Sequence, residues 1–207
     1  MKVHLLAIAG GSGSGKTWLA ERLVEECGPD AGRLSLDDFY QDLSQRTPAE
    51  RSEANFDHPQ AIDWPLFRRT LTCIQRGETT DVPVYDFDTH TRRAETKRWR
   101  PCRLVVLDGL WLMRRAELRR LYSLSVFVDC PEKLRFERRL ARDRCERGRS
   151  VASIWTQLEN HVAPMHNRFV TGQIRHADLV VGSPSPAADV AELRQRCQKL
   201  LLQKSPL

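Results

Sequence analysis

Gly10-Gly11-Ser12-Gly13-Ser14-Gly15-Lys16-Thr17 follows directly on the apolar run Val3–Ala9, and that junction decides the fold. The octet is a complete G-x-x-x-x-G-K-[ST] phosphate loop, at the end of an expected strand and opening an expected helix. That helix, Lys16–Cys27, is stopped by Gly28 and Pro29. The glycines leave backbone N–H groups free to surround phosphate oxygens, and the helix adds its positive N-terminal end. Lys16 can reach the β- and γ-phosphates, and the Thr17 hydroxyl can ligate Mg²⁺. A glycine-rich turn without a ligand would not need strand, Lys-Thr pair and helix in this order. Gly10, Gly11, Ser12, Gly13, Ser14, Gly15, Lys16 and Thr17 are thus expected to hold a nucleoside triphosphate.

Outward from the loop, the chain alternates strand and helix. Arg33–Leu36 is short and ends at the carboxylate pair Asp37-Asp38. Gln41–Pro59 is polar and without an apolar period, which predicts irregular structure. Asp63 is placed as an N-cap, with Pro65 in the first turn and Gly77 just past the helix end. Val82–Phe87 alternates like a strand, and Thr91–Arg100 reads as its hairpin partner or a loop. Leu104–Leu107 and Leu124–Val128 are continuous apolar runs, the signature of strands buried on both faces. Asp129 and Pro131 open a helix to Arg147, Gly148 ends it, and Ser150 can cap the next. Leu179–Val181 is a last short strand before a helix from about Ala187 to Leu202. Alternation of this kind predicts an α/β fold, a parallel sheet with helices on both faces and right-handed crossovers. Ligands then lie at the carboxyl ends of the strands, where Gly10, Asp37 and Asp108 all fall.

Composition narrows the classes. The 207 residues suit one domain, and no apolar run approaches the length of a membrane span. A cleaved signal peptide at the N-terminus would destroy the phosphate loop. The six cysteines show no C-x-x-C spacing and suit buried thiols in a reducing cytosol. Of 33 basic residues only six are lysines. The arginines concentrate in Arg92–Arg103 and Arg135–Arg149. A nucleic-acid surface, phosphate chemistry and a solvated arginine-biased surface all fit such clusters, the last two better than the first.

Asp108, at the end of a central strand, suits a carboxylate that holds or orients Mg²⁺, although a strand-end Asp also caps turns. Asp37 or Asp38 can take the proton of an attacking hydroxyl, or merely cap a loop. Arg135, Arg139 and Arg142 share one helical stripe, either a solvated face or a lid over transferring phosphate.

Taken together, these segments resemble the uridine kinase family, within the phosphoribulokinase/uridine kinase group of P-loop kinases. The matching strings are Gly10–Thr17, Asp37-Asp38-Phe39-Tyr40, Asn55-Phe56-Asp57-His58-Pro59, Val82-Pro83-Val84-Tyr85-Asp86-Phe87, Thr89-His90-Thr91-Arg92 and Arg139–Ser150. The resemblance implies one P-loop kinase domain over residues 1–207, with a nucleoside-binding β-hairpin insertion at about 40–100 and a helical lid at about 135–160. It implies ATP-dependent phosphorylation of the 5′-hydroxyl of uridine, and of cytidine, with Mg²⁺, in pyrimidine salvage; a related kinase acting on another small alcohol (nicotinamide riboside, pantothenate, a sugar phosphate or a nucleoside-like natural product) is the alternative, ahead of an ATP-sensing module that binds nucleic acid. Asp37 would be the general base, and Lys16 would act on the phosphoryl group. Asp57 and Arg139 would hold the ribose hydroxyls, with Tyr85, Phe87 and His90 at the pyrimidine. Arg149 and Gln157 would complete the substrate side, Arg142 and Arg147 would cover the ATP phosphates, and Thr17 and Asp108 would serve the metal. A cytoplasmic homo-oligomer without membrane or nucleic-acid partners is also implied. The chain departs from the family in having Asp108 where Glu is usual, Thr171-Gly172-Gln173-Ile174 after Phe169, and an unusual stretch between Tyr40 and Asn55.

Overall fold

The computed structural model describes residues 2–145 and 150–203. Five strands, β1 (His4–Gly10), β2 (Ala31–Ser35), β5 (Leu104–Gly109), β6 (Leu124–Asp129) and β7 (Leu179–Gly182), form one sheet in the order β2-β5-β1-β6-β7. Every pairing in it is parallel. The two central strands are buried along their whole length, as their unbroken apolar runs require.

Alternate residues of β1 feed two separate cores. Leu6 and Ile8 pack with Leu19, Ala20 and Leu23 of helix α1 (Lys16–Cys27) and with Leu193 and Cys197 of the C-terminal helix, Ala187–Leu202. Leu5, Ala7 and Ala9 face the other way, onto Phe67, Leu71 and Ile74 of the helix Trp64–Gln75. Helices therefore cover both faces, as the alternation predicts. Asp63 caps the Trp64–Gln75 helix by accepting from the Leu66 N–H at 3.0 Å.

Strands β3 (Thr80–Asp86) and β4 (Thr91–Trp99) pair antiparallel as a separate hairpin. Of the two readings open for Thr91–Arg100, the strand is the one formed. Arg92 pins the hairpin to the body, donating to the Tyr40 carbonyl at 2.9 Å and to Asp63 at 3.2 Å. The stretch expected to be irregular contains one helical turn and a half, Pro48–Ser52. Thr47 and Glu50 close a reciprocal capping box around it, the T-x-x-E signature that an apolar-period reading passes over. Helix Glu132–Cys145 leads out of β6, and Ser150 caps Val151–Gln157 by accepting from the Ser153 N–H. The chain then stays helical to His176, with wide π turns at Leu158–Val162 and His166–Val170. Arg147, Gly148 and Arg149 lie outside the described residues. All six cysteines are free thiols. Among the described residues, no helix is long and apolar enough to cross a membrane.

Candidate active site

The sheet order brings three strand ends together. Asp108 on β5 sits in register with Ser35 of β2 on one side and Ile8 of β1 on the other. The phosphate loop leaves β1, and Asp37 lies in a single 3-10 turn just after β2. Gly13 and Gly15 adopt left-handed φ values of 78° and 92°. A Cβ on Gly13 would also meet the Arg135 backbone carbonyl at 2.4 Å, so only glycine fits there.

Lys16 is buried beside the loop, its Nζ donating to the Gly11 carbonyl at 3.5 Å. Burial pulls its pKa down, and the charges of Asp37 and Asp108 oppose that pull. The Thr17 hydroxyl donates to Asp108 Oδ2 at 2.9 Å. Arg33 grips the same carboxylate, Nε to Oδ1 at 2.9 Å and a second nitrogen to Oδ2 at 3.4 Å. A hydroxyl and a carboxylate side by side under a phosphate loop form a hard oxygen donor set of the kind Mg²⁺ takes alongside phosphate and water oxygens. Among the described residues no group of three His, Cys, Asp or Glu side chains is placed to hold a metal.

A cavity of about 170 Å³ opens onto Lys16 and Thr17. Its wall brings together Ser12, Asp37, Asp57, Tyr85, Phe87, His90, Arg139, Arg142 and Gln157, residues widely separated in the chain. Of the Asp37-Asp38 pair, Asp37 lines this wall. Burial, and then the neighbouring charge of Asp37, push the Asp38 carboxyl up to about 6. Arg139 joins loop to cavity, with Ser12 Oγ at 2.9 Å and Asp57 Oδ1 at 3.4 Å, and it also pairs with Asp143. Asp57 is set by an Asx turn, its N–H donating to Asn55 Oδ1.

The far wall is aromatic. Phe56, Tyr40, Tyr85 and Phe87 follow one another in that order, edge-on or tilted, at 5.3–5.4 Å. The His90 ring stacks on Phe56 at 4.5 Å, from a turn where His90 itself takes a left-handed φ of 56°. Burial raises the Tyr85 phenol well above its usual range.

The helix Glu132–Cys145 turns Arg135 and Arg139 inward, both under 8% exposed, so the expected stripe is no solvated face at those two positions. Arg142 pairs with Asp143 at 2.9 Å and borders the cavity. The sequence reading passed over several contributors. Arg33, Phe56 and His161 were unassigned, as was Arg138, whose guanidinium donates to Ser183 Oγ at 2.7 Å. An arginine's partners are tertiary, and nothing local to Arg33 or Arg138 marks them out. Phe56 lies within Asn55-Phe56-Asp57-His58-Pro59, and its place beside Asp57 is the local signal for it. Arg147 and Arg149 are outside the described residues.

Comparison with known proteins identifies the family. The model of the phosphoribulokinase / uridine kinase family matches residues 5–191. A uridine kinase of Deinococcus deserti is 41% identical over 200 residues, covering 95% of this chain and 97% of that protein. A uridine kinase of Halobacterium salinarum is 34% identical over 193 residues, covering 93% and 86%. The solved phosphoribulokinase from Rhodobacter spheroides superposes with a TM-score of 0.65 at 15% identity, over 87% of this chain and 70% of that one, and so shares the fold. With its phosphate loop, its sheet order and a family match spanning most of its length, the chain belongs to the phosphoribulokinase / uridine kinase family.

Proposed function

We propose that this protein transfers the γ-phosphoryl group of ATP to the 5′-hydroxyl of uridine, and of cytidine, as one P-loop kinase domain. The observation that carries the reading is the cavity in which Asp37, the Asp57–Arg139 pair and the aromatic wall all face Lys16 and Thr17. Residues from about 40 to 100 would supply the acceptor side, and those from about 135 to 160 the lid.

Phosphoryl transfer asks the protein for position and charge neutralisation more than for covalent chemistry. Backbone N–H groups of Gly10–Thr17 and the start of α1 hold the donor phosphates, and Lys16 neutralises charge on the transferred group. Arg142 adds a guanidinium group from the lid, with Arg147 assigned to the same phosphates and Arg149 to the substrate side by the family resemblance. Asp57 and Arg139 offer an acceptor and donors to vicinal ribose hydroxyls, so a sugar lacking one leaves a buried group unpaired. Tyr85, Phe87 and His90 form a slot for a flat heterocycle, with Gln157 at its rim. Asp37 orients the 5′-hydroxyl and takes its proton as the bond to phosphorus forms. Thr17 and Asp108 would hold Mg²⁺, which when bound neutralises phosphate charge.

The test is Asp37→Asn. We expect kcat to fall by about 10²–10⁴ while Mg·ATP binds as before. Retained turnover would remove Asp37 as the base. Equal loss of turnover and of ATP binding would move it from catalysis to structure.

A further inference from the structure

The acceptor cavity has a neighbour. A second cleft, of about 500 Å³, shares Lys16, Thr17 and Arg142 with it and then diverges toward Trp18, Arg138 and Ser183–Ser185. The sheet order separates the two. Asp37 follows β2 at one edge of the sheet and Ser183 follows β7 at the other, with the phosphate loop on the central strand between them. In-line transfer puts the attacking hydroxyl and the leaving diphosphate on opposite sides of the moving phosphorus. With the acceptor on the β2 side, the rest of the donor must run toward β7 and into this cleft. Its volume is in the range of small-ligand sites.

The large apolar surface there is Trp18, at the start of α1 and 56% exposed, with the smaller Pro184 ring in the same wall. The cleft's remaining side chains are cations and hydroxyls. Arg138 is fixed by Ser183 Oγ at 2.7 Å, and Ser183, Ser185 and Thr17 supply hydroxyls that can donate or accept. No carboxylate or side-chain amide lines it among the described residues. Such a wall has little with which to read the edge of a base, but it offers one large π-face.

We propose that Trp18 is the platform on which the base of the phosphate donor stacks, in the cleft that Arg138 and Ser183–Ser185 close. This rests on the kinase reading above and adds the donor's base to it. Because every base presents a π-face, the platform serves adenine and guanine alike.

The experiment is isothermal titration of the whole protein, with Mg²⁺, against ATP, GTP and inorganic tripolyphosphate. Trp18→Ala is expected to weaken both nucleotides by about tenfold and to leave tripolyphosphate, which has no base, unchanged. Trp18→Phe is expected to restore most of the loss, and KM for uridine to stay constant in both variants. Trp18 stands outside both sheet cores, so the variants keep their fold, and matching melting curves check this. Equal weakening of all three ligands would assign Trp18 to the structure of the helix start and overturn the platform. So would unchanged nucleotide binding in Trp18→Ala. Wild-type protein that binds neither ATP nor tripolyphosphate would overturn the kinase reading, and the platform with it.

Discussion

Tyr85 lines the acceptor cavity, and its hydroxyl is buried with no hydrogen-bond partner among the described residues. An orphaned buried hydroxyl costs about 1–3 kcal/mol unless a ligand satisfies it. Tyr85→Phe therefore separates two roles. If the nucleoside supplies the missing partner, the variant loses about tenfold in uridine KM, keeps its KM for ATP, and melts at the same temperature as wild type or higher. A drop in melting temperature with unchanged KM would make Tyr85 a packing residue only. At this scale the sequence was legible where chemistry is written in contiguous letters. Gly10–Thr17, Asp37 and Asp57 stand in strings that define their own neighbourhoods. Arg33 does not, because its grip on Asp108 depends on β2 and β5 lying side by side.

Among the elements, the phosphate loop is the least tolerant of change. Gly13→Ala would drive a methyl group to 2.4 Å from the Arg135 carbonyl in a left-handed backbone. Strain of both kinds predicts a loss of about 2–4 kcal/mol in unfolding free energy, together with loss of ATP binding. A denaturant titration beside an ATP titration checks it, and a variant of wild-type stability would show that loop and helix are not in contact there. The short helix Pro48–Ser52 is a gentler case. Removing its cap with Thr47→Ala is expected to cost about 1 kcal/mol. It should raise KM for uridine more than for ATP, since Ser52–Asp57 line the acceptor cavity. Element boundaries were largely readable because caps and stops are local. Lys16–Cys27, Asp63 as a cap, and Ala187–Leu202 all fall where the residues place them. The π turns after Leu158 carry no local marker, and their geometry answers to packing.

For the molecule as a whole, the sheet order is what turns scattered residues into one site, and no local pattern encodes it. The same packing sets a pH dependence. His166 lies beneath the phosphate loop against Gly11 and Arg135. Burial, and then the Arg135 charge, hold its imidazole down at about 4, from an ordinary 6.5. Between those values the unfolded chain takes up a proton that the native ring refuses. The stability contributed by the neutral ring is complete above pH 6.5 and is lost as pH falls toward 4. The melting temperature of wild type should fall more steeply over that window than that of His166→Gln. Equal slopes would mean that His166 protonates as readily in the native state as in the unfolded one.

The acceptor's identity is the central claim, and product formation tests it most directly. ADP release from Mg·ATP would be followed with uridine, cytidine, their 2′-deoxy forms, adenosine, nicotinamide riboside and pantothenate, and the phosphorylated product identified. Uridine and cytidine should be turned over to their 5′-monophosphates, and the 2′-deoxy forms far more slowly because the Asp57–Arg139 pair is left unmatched. Turnover confined to nicotinamide riboside or pantothenate, or none across the panel while ATP is bound, would contradict the assignment.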